Sequence, residues 1–243
     1  DPGYSTFPFI WFLIALFHDN AYQMELGNEL DAINSLDELI AYFEIDHFLL
    51  DKKSRTKCKN LHDVRKDYFT YRKAEWHVVD HGILGGILLY DRLVKIRREK
   101  KQHNEDNLFW GENLEHQYLL AANAISLHNI YLPEKGKEQV YEEYQLQKLL
   151  HFKKVKFKDF PLFYLLGVID TIEPLKTYRN CGFTDAYIFE NLYFEFRPVG
   201  VVVSYNKKSK LDFNMLVAKT KNFKGWLNIK VIVTASSFEL IFK

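Results

Sequence analysis

The sequence predicts a mainly α-helical fold with a small C-terminal β-β-α-β-β appendage of the α+β kind, and three observations predict it. Nearly half of the 243 residues are apolar, while Gly (11) and Pro (6) are scarce, a composition that suits a well-buried helical core rather than a disordered or loop-rich chain. Apolar residues recur at helical spacing through most of the first 178 positions. After Gly182 the chain turns to β-branched and aromatic runs punctuated by Pro198 and Gly200, which is strand-and-turn chemistry.

Taken in order, Thr6 to Leu26 reads as one buried helix, apolar on most sides before His18. A second helix is expected from Ser35 to Leu50: Ser35 with Glu38 three positions on is a capping box, and Leu36, Leu39, Ile40, Phe43 and Phe48 follow near helical spacing. The lysine-rich stretch 51–60 reads as a solvated loop. Helical patterning resumes from Leu61 to Lys101, with a break expected between His77 and Gly82. Asn113 to Ile130 and Lys137 to Phe152 are further amphipathic helices, separated by Pro133 and Gly136. Phe160 to Tyr178 is another, opening with Pro161 in its first turn. Beyond it, Ala186–Phe196 and Val199–Tyr205 are expected strands, Leu211–Trp226 a helix, and Leu227–Thr234 and Phe238–Phe242 the closing strands. The expected division is a helical domain over 1–182, with an insertion at about 27–75, followed by a small subdomain over 183–243.

Charge and cysteine usage narrow the function. Lys plus Arg (33) and Asp plus Glu (32) leave a net charge of +1, so no global field favours nucleic acid or an anionic membrane. The basic run 95–101 has no interleaved aromatics and reads as the cationic end of an exposed helix. Cys58 and Cys181 are far apart and form neither a CxxC pair nor a disulfide framework; free thiols in a reducing cytoplasm are expected. The apolar run Phe7 to Phe17 is shorter than the ~20 residues a membrane span needs and has no signal-peptide features.

Four local patterns carry the chemistry: Leu16-Phe17-His18-Asp19, His81-Gly82-Ile83-Leu84-Gly85-Gly86-Ile87-Leu88, Ile125-Ser126-Leu127-His128-Asn129, and Gly167-Val168-Ile169-Asp170. In each, a metal-ligand residue type closes or opens an apolar run that belongs in a core. A buried carboxylate or imidazole there needs a partner, and a divalent cation held by ligands from several helices is one. Taken singly, each histidine is more often a hydrogen-bonded core residue than a ligand, and Asp170 more often a capping residue or a partner of Lys176.

The order His-Asp, then His followed by small residues, then His, then Asp, resembles the HD superfamily of metal-dependent phosphohydrolases over about residues 10 to 176. The resemblance implies an HD-type helical domain with His18, Asp19, His81, His128 and Asp170 as metal ligands. Gly85 and Gly86 are expected to let their helix approach its neighbour and bring His81 to the centre. The family pattern also places a His on a helix upstream of the His-Asp pair, and residues 1–17 contain none. His77, four residues before His81 and on the same face of a continuous helix, is a further candidate for the site, whereas Asp80 is expected to point elsewhere. Arg72, Lys73, Asn129 and Lys176 lie near motif ends and are candidates for phosphate contact. The implied cofactor is one or two divalent ions drawn from Fe, Mn, Mg, Ni, Co or Zn. The implied substrate is a nucleotide or other phosphorylated small molecule, with Asp19 orienting water or taking its proton. A homo-oligomer is compatible with the β-rich appendage. The alternative is a degenerate HD domain that binds a nucleotide or protein partner without turnover.

Overall fold

The computed structural model describes residues 6–48, 55–103, 113–129, 138–144, 146 and 154–243. The chain divides into two compact units, Asp1–Phe152 and Lys153–Lys243. The first described helix, α1 (Phe7–Phe17), buries Ile10, Leu13 and Ile14 and stops at His18. The expected single helix to Leu26 is therefore two. Asn20 and Tyr22 donate three residues back, to the carbonyls of Phe17 and Asp19, and α2 (Tyr22–Leu26) sets off after this tight turn. The polar run His18-Asp19-Asn20 supplies side chains that compete with helical backbone bonding, and the helix ends where they begin.

The Ser35 cap forms as expected, with its hydroxyl accepting from the Glu38 N–H at 3.1 Å and Glu38 accepting from the Asn34 N–H at 2.8 Å. It opens α3 (Leu36–Tyr42), which is shorter than the patterning to Leu50 suggested. Stretch 51–60 is not all loop: α4 (Arg55–Trp76) begins at Arg55, and only 51–54 lie outside the described residues. Lysine and arginine are good helix formers, so a charge-rich stretch is no argument against a helix. The expected insertion at 27–75 is built into the core. Leu30, Ile33, Leu36, Leu39, Tyr68 and Phe69 are buried, and the buried Arg65 donates to Ser126 Oγ at 2.7 Å.

The break between His77 and Gly82 is real. His77 has φ 58°, a left-handed conformation that terminates α4, and Asp80 then caps α5 (His81–His103) by accepting from the Ile83 N–H at 3.0 Å. Helix α6 (Leu114–Leu127) packs tightly on α5. The close approach is made at Gly82 and Gly86, one helical turn apart. A Cβ on Gly86 would stand 2.5 Å from the Ala122 carbonyl oxygen, and one on Gly82 2.9 Å from that of Ile125. At Gly85 the nearest atoms would be at ordinary contact distance, 3.7–3.8 Å, so the expectation for Gly86 stands, that for Gly85 does not, and Gly82 takes its place. Of the expected helix Lys137 to Phe152, α7 covers Glu138–Glu143; apart from Tyr144 and Leu146, the rest lies outside the described residues.

The second unit starts with α8 (Pro161–Thr171) and α9 (Pro174–Tyr178), separated where Pro174 removes a backbone donor. The expected strand from Ala186 begins as a helix instead. Thr184 Oγ accepts from the Tyr187 N–H at 3.3 Å and starts α10 (Asp185–Asn191), after which β1 (Leu192–Arg197) follows. The N-cap outweighs the aromatic β-propensity of this short stretch. Then come β2 (Gly200–Tyr205), α11 (Phe213–Lys219) running into a 3₁₀ turn over Thr220–Gly225, β3 (Ile229–Val233) and β4 (Ser237–Phe242). The sheet is antiparallel in the order β1-β2-β4-β3. Its inner face buries Leu192, Val201, Val203, Phe238 and Leu240, while Glu195, Arg197 and Lys230 alternate outward.

The boundary between units falls before α8, not at 182/183. Trp226 is fully buried, its ring centroid 5.5 Å from that of Phe163, and its indole fills the space a Cβ on Gly167 would take. Tyr164 donates to the Asn228 carbonyl at 2.9 Å, and the Val155 N–H to that of Trp226 at 2.8 Å. The sheet thus recruits α8 as its own core helix, which a sixty-residue appendage without it would lack.

Candidate metal centre

Three helix ends of the first unit deliver the expected residues to one place. His18 and Asp19 follow the last turn of α1, His81 opens α5, and His128 closes α6. The ring centroids of His18 and His128 are 5.8 Å apart and those of His81 and His128 5.2 Å. Asp19 reaches both neighbours, with Oδ2 3.5 Å from His18 Nε2 and Oδ1 3.4 Å from His81 Nε2. Asp19, His81 and His128 offer ligand atoms that all lie within 4.8 Å of one another.

The orientation of the imidazoles matters as much as their proximity. His18 Nδ1 is 3.1 Å from the Ala15 carbonyl and His128 Nδ1 is 2.6 Å from that of Ile125. A carbonyl only accepts, so Nδ1 carries the proton in both rings and Nε2 carries the lone pair. His81 is treated the same way by a carboxylate, since its Nδ1 contacts Glu25 Oε2. All three rings therefore have Nδ1 tied down and present Nε2, as a metal-ligating histidine does when a second group fixes its tautomer.

Glu25, on α2, is the residue that sequence reading missed. It also accepts from the His81 backbone N–H at 3.1 Å and pairs with Arg72. Burial raises its pKa, but the His81 hydrogen bond and the Arg72 charge outweigh this and bring it below the ordinary value. Asp80, expected to point away, is fully buried: its Oδ2 lies 3.5 Å from Arg72 and accepts from the Asn129 amide at 3.2 Å. The same Asn129 nitrogen is 3.0 Å from His81 Nε2. Glu25, Asp80 and His81 form a second cluster of ligand-type atoms, but its acids are already occupied by Arg72. Neither residue had a sequence signal. Glu25 stands in an unremarkable helical run, and Asp80 points away from His81 only if the helix runs unbroken from His77 through His81.

For His81, burial opposes the charged form, yet the hydrogen bonds to Asp19 and Glu25 and the charges of Asp80 and Glu25 prevail and raise its pKa to about 9. Without a metal, His81 is an imidazolium clamped between acids.

His77, Lys73 and Arg72 take other places. His77 is exposed in the left-handed break, so it does not share a face with His81. Lys73 donates to the carbonyls of Leu30 and Asp31 at 3.3 and 3.1 Å and ties down the loop before α3. Arg72 is committed to Glu25 and Asp80. Asp170 belongs to the second unit, at the end of α8, where its carboxylate pairs with Lys176 Nζ at 2.7 Å.

Comparison with family models, with curated proteins and with solved structures yields no match. Imidazole nitrogens with one carboxylate suit a divalent ion of the Mn, Fe, Co, Ni or Zn series, whereas Mg prefers an all-oxygen shell. Among the described residues, no helix is long and apolar enough to cross a membrane.

Proposed function

We propose that the first unit binds a divalent transition-metal ion through the Nε2 atoms of His18, His81 and His128 with Asp19, and hydrolyses a phosphoester, either a nucleotide or another phosphorylated small molecule. The observation that carries this reading is the shared orientation of the three imidazoles, each held by its Nδ1 around one carboxylate. The resemblance in motif order to the HD superfamily supplies the reaction class and counts Asp170 as a further ligand.

A bound ion of this kind lowers the pKa of water and offsets negative charge on the phosphoryl oxygens. The protein's own groups do the rest. Asp19 orients the attacking water and takes its proton. Glu25 holds His81 by both its backbone N–H and Nδ1, and Asn129 donates to the neighbouring Asp80 carboxylate. Arg72 is neutralised by its two acids and balances the buried charge rather than adding to it.

The test is metal content after reconstitution with Mn, Fe, Co, Ni or Zn, together with hydrolysis of p-nitrophenyl phosphate, its bis-ester and a nucleotide panel. One ion per chain is expected, with turnover that Asp19→Ala and His128→Ala each reduce at least 10³-fold. Turnover unchanged by both variants overturns the site. Stoichiometric metal with no turnover on any substrate rejects the hydrolase reading in favour of the binding-only HD domain.

A further inference from the structure

A cavity of about 430 Å³ lies in the first unit beside the metal centre but separate from its ligands. Phe17, Met24, Leu88, Leu89, Leu93 and Ile96 make its apolar wall. Its floor is Gly85, where a Cβ would have room. Two polar side chains stand at its edge, Asn20 and Arg92. Both are exposed, and neither has a side-chain partner among the described residues.

This combination differs from that of another concavity among the described residues. In the second unit, about 450 Å³ is bounded by apolar side chains together with Glu173 and Arg197. There the glutamate pairs with Lys176 and the arginine with Glu195 and Glu239, so no charge is left to recognise a ligand. At the first cavity the guanidinium has no partner among the described residues. A volume of this size falls within the roughly 300–1,000 Å³ of small-molecule sites, whose few polar groups fix orientation while apolar walls supply affinity.

We infer that this cavity is a binding site for a small amphipathic anion: an apolar body seated between α2 and α5, with a carboxylate at Arg92 and Asn20. The body covers Ile96, which is otherwise 48% exposed. The guanidinium supplies paired N–H donors matched to a carboxylate. The site stands independently of the metal reading, because none of its lining residues is a proposed ligand.

Calorimetric titration of the full chain with decanoate, and with decanamide as its neutral counterpart, tests the inference. Saturable 1:1 binding is expected, about fivefold tighter for the carboxylate, the size of a solvent-exposed ion pair. Arg92→Ala should remove that preference and leave decanamide binding within twofold of the parent. Leu93→Trp, which fills the cavity, should abolish binding of both while the thermal transition persists; if it unfolds the protein, Gly85→Leu fills the same space from the floor. No saturable binding below about 5 mM, equal affinity for acid and amide, or a preference that survives Arg92→Ala overturns it.

Discussion

Alanine placed in turn at Gly82, Gly85 and Gly86 should give three different outcomes on one helix. At Gly86 the new Cβ would stand 2.5 Å from the Ala122 carbonyl oxygen and 2.8 Å from Ser126 Cβ. The clash is with backbone, so α5 and α6 must separate. Overpacking of this kind costs about 1–3 kcal/mol, more than the ~1 kcal/mol that alanine gains over glycine in a helix. At Gly85 the Cβ meets nothing closer than 3.7 Å, so the propensity gain stands alone and the variant should be stabilised by about 0.5–1 kcal/mol. At Gly82 the Cβ would sit 2.9 Å from both His128 Nδ1 and the Ile125 carbonyl oxygen, on the hydrogen bond that orients His128. Near the first turn the propensity gain is smaller, so stability should fall by about 1–2 kcal/mol. The larger effect there is on the metal, because loss of a group that orients a ligating histidine typically weakens affinity 10–100-fold. Thermal unfolding of chelator-treated protein and a competitive Co(II) titration read the two quantities. Melting shifts should run at ~2–4 °C per kcal/mol for a chain of this size, giving Gly85→Ala above the parent and Gly86→Ala well below it. A Gly85→Ala variant as damaged as Gly86→Ala would refute the packing argument. A Gly82→Ala variant that binds Co(II) as tightly as the parent would refute the role assigned to the His128–Ile125 bond.

Four further outcomes follow from the structure. His81 has a folded-state pKa raised from 6.5 to about 9, so its contribution to stability is complete below pH 6.5 and is lost as pH rises through 9. The ceiling of ~3 kcal/mol from that shift becomes about 1–2 after solvent screening, and the chelated protein should lose several degrees in Tm between pH 6 and 9.5. A His81→Gln variant that loses as much over this range would assign the trend elsewhere. Because a metal must displace the His81 proton, affinity should rise with pH up to about 9, close to tenfold per unit; a flat profile in proton-corrected titrations contradicts this ligand. Glu25→Gln should leave the fold intact but weaken metal binding 10–100-fold, whereas Glu25→Ala, which strips Arg72 of a partner, should also cost about 2–4 kcal/mol; equal stabilities by urea denaturation would show that the pair is not structural. In the second unit, Trp226→Ala should cost about 3–5 kcal/mol and abolish that unit's near-ultraviolet dichroism, and a change under 1 kcal/mol would refute its place as the core of α8 and the sheet.

Much of the helical layout was legible because it depends on local rules. The Ser35 cap, the break near His77 and the turn chemistry around Pro198 are each written in a few adjacent residues. The errors fell where local preferences compete. The stretch from Ala186 has strand-like residues but starts from a helix cap, and 55–60 has the charge of a loop and the propensity of a helix. At the candidate site, the sequence named His18, Asp19, His81 and His128 from their positions at the ends of apolar runs, since an ionisable group there must find a partner.

By itself, then, the sequence determined which residues needed a polar partner inside the first unit, and roughly which elements carry them. Tertiary structure decided who those partners are. Glu25, Arg72 and Asp80 meet His81 only because α2, α4 and the start of α5 converge at the left-handed residue His77, while two glycines a turn apart let α6 bring His128 against the same place. It also gave α8 to the sheet, because Trp226 needed Gly167 beneath it. The physical reason is the same in each case: capping and periodicity act over three or four residues and are readable in order, whereas close packing and charge pairing act through space between segments whose separation along the chain carries no signal.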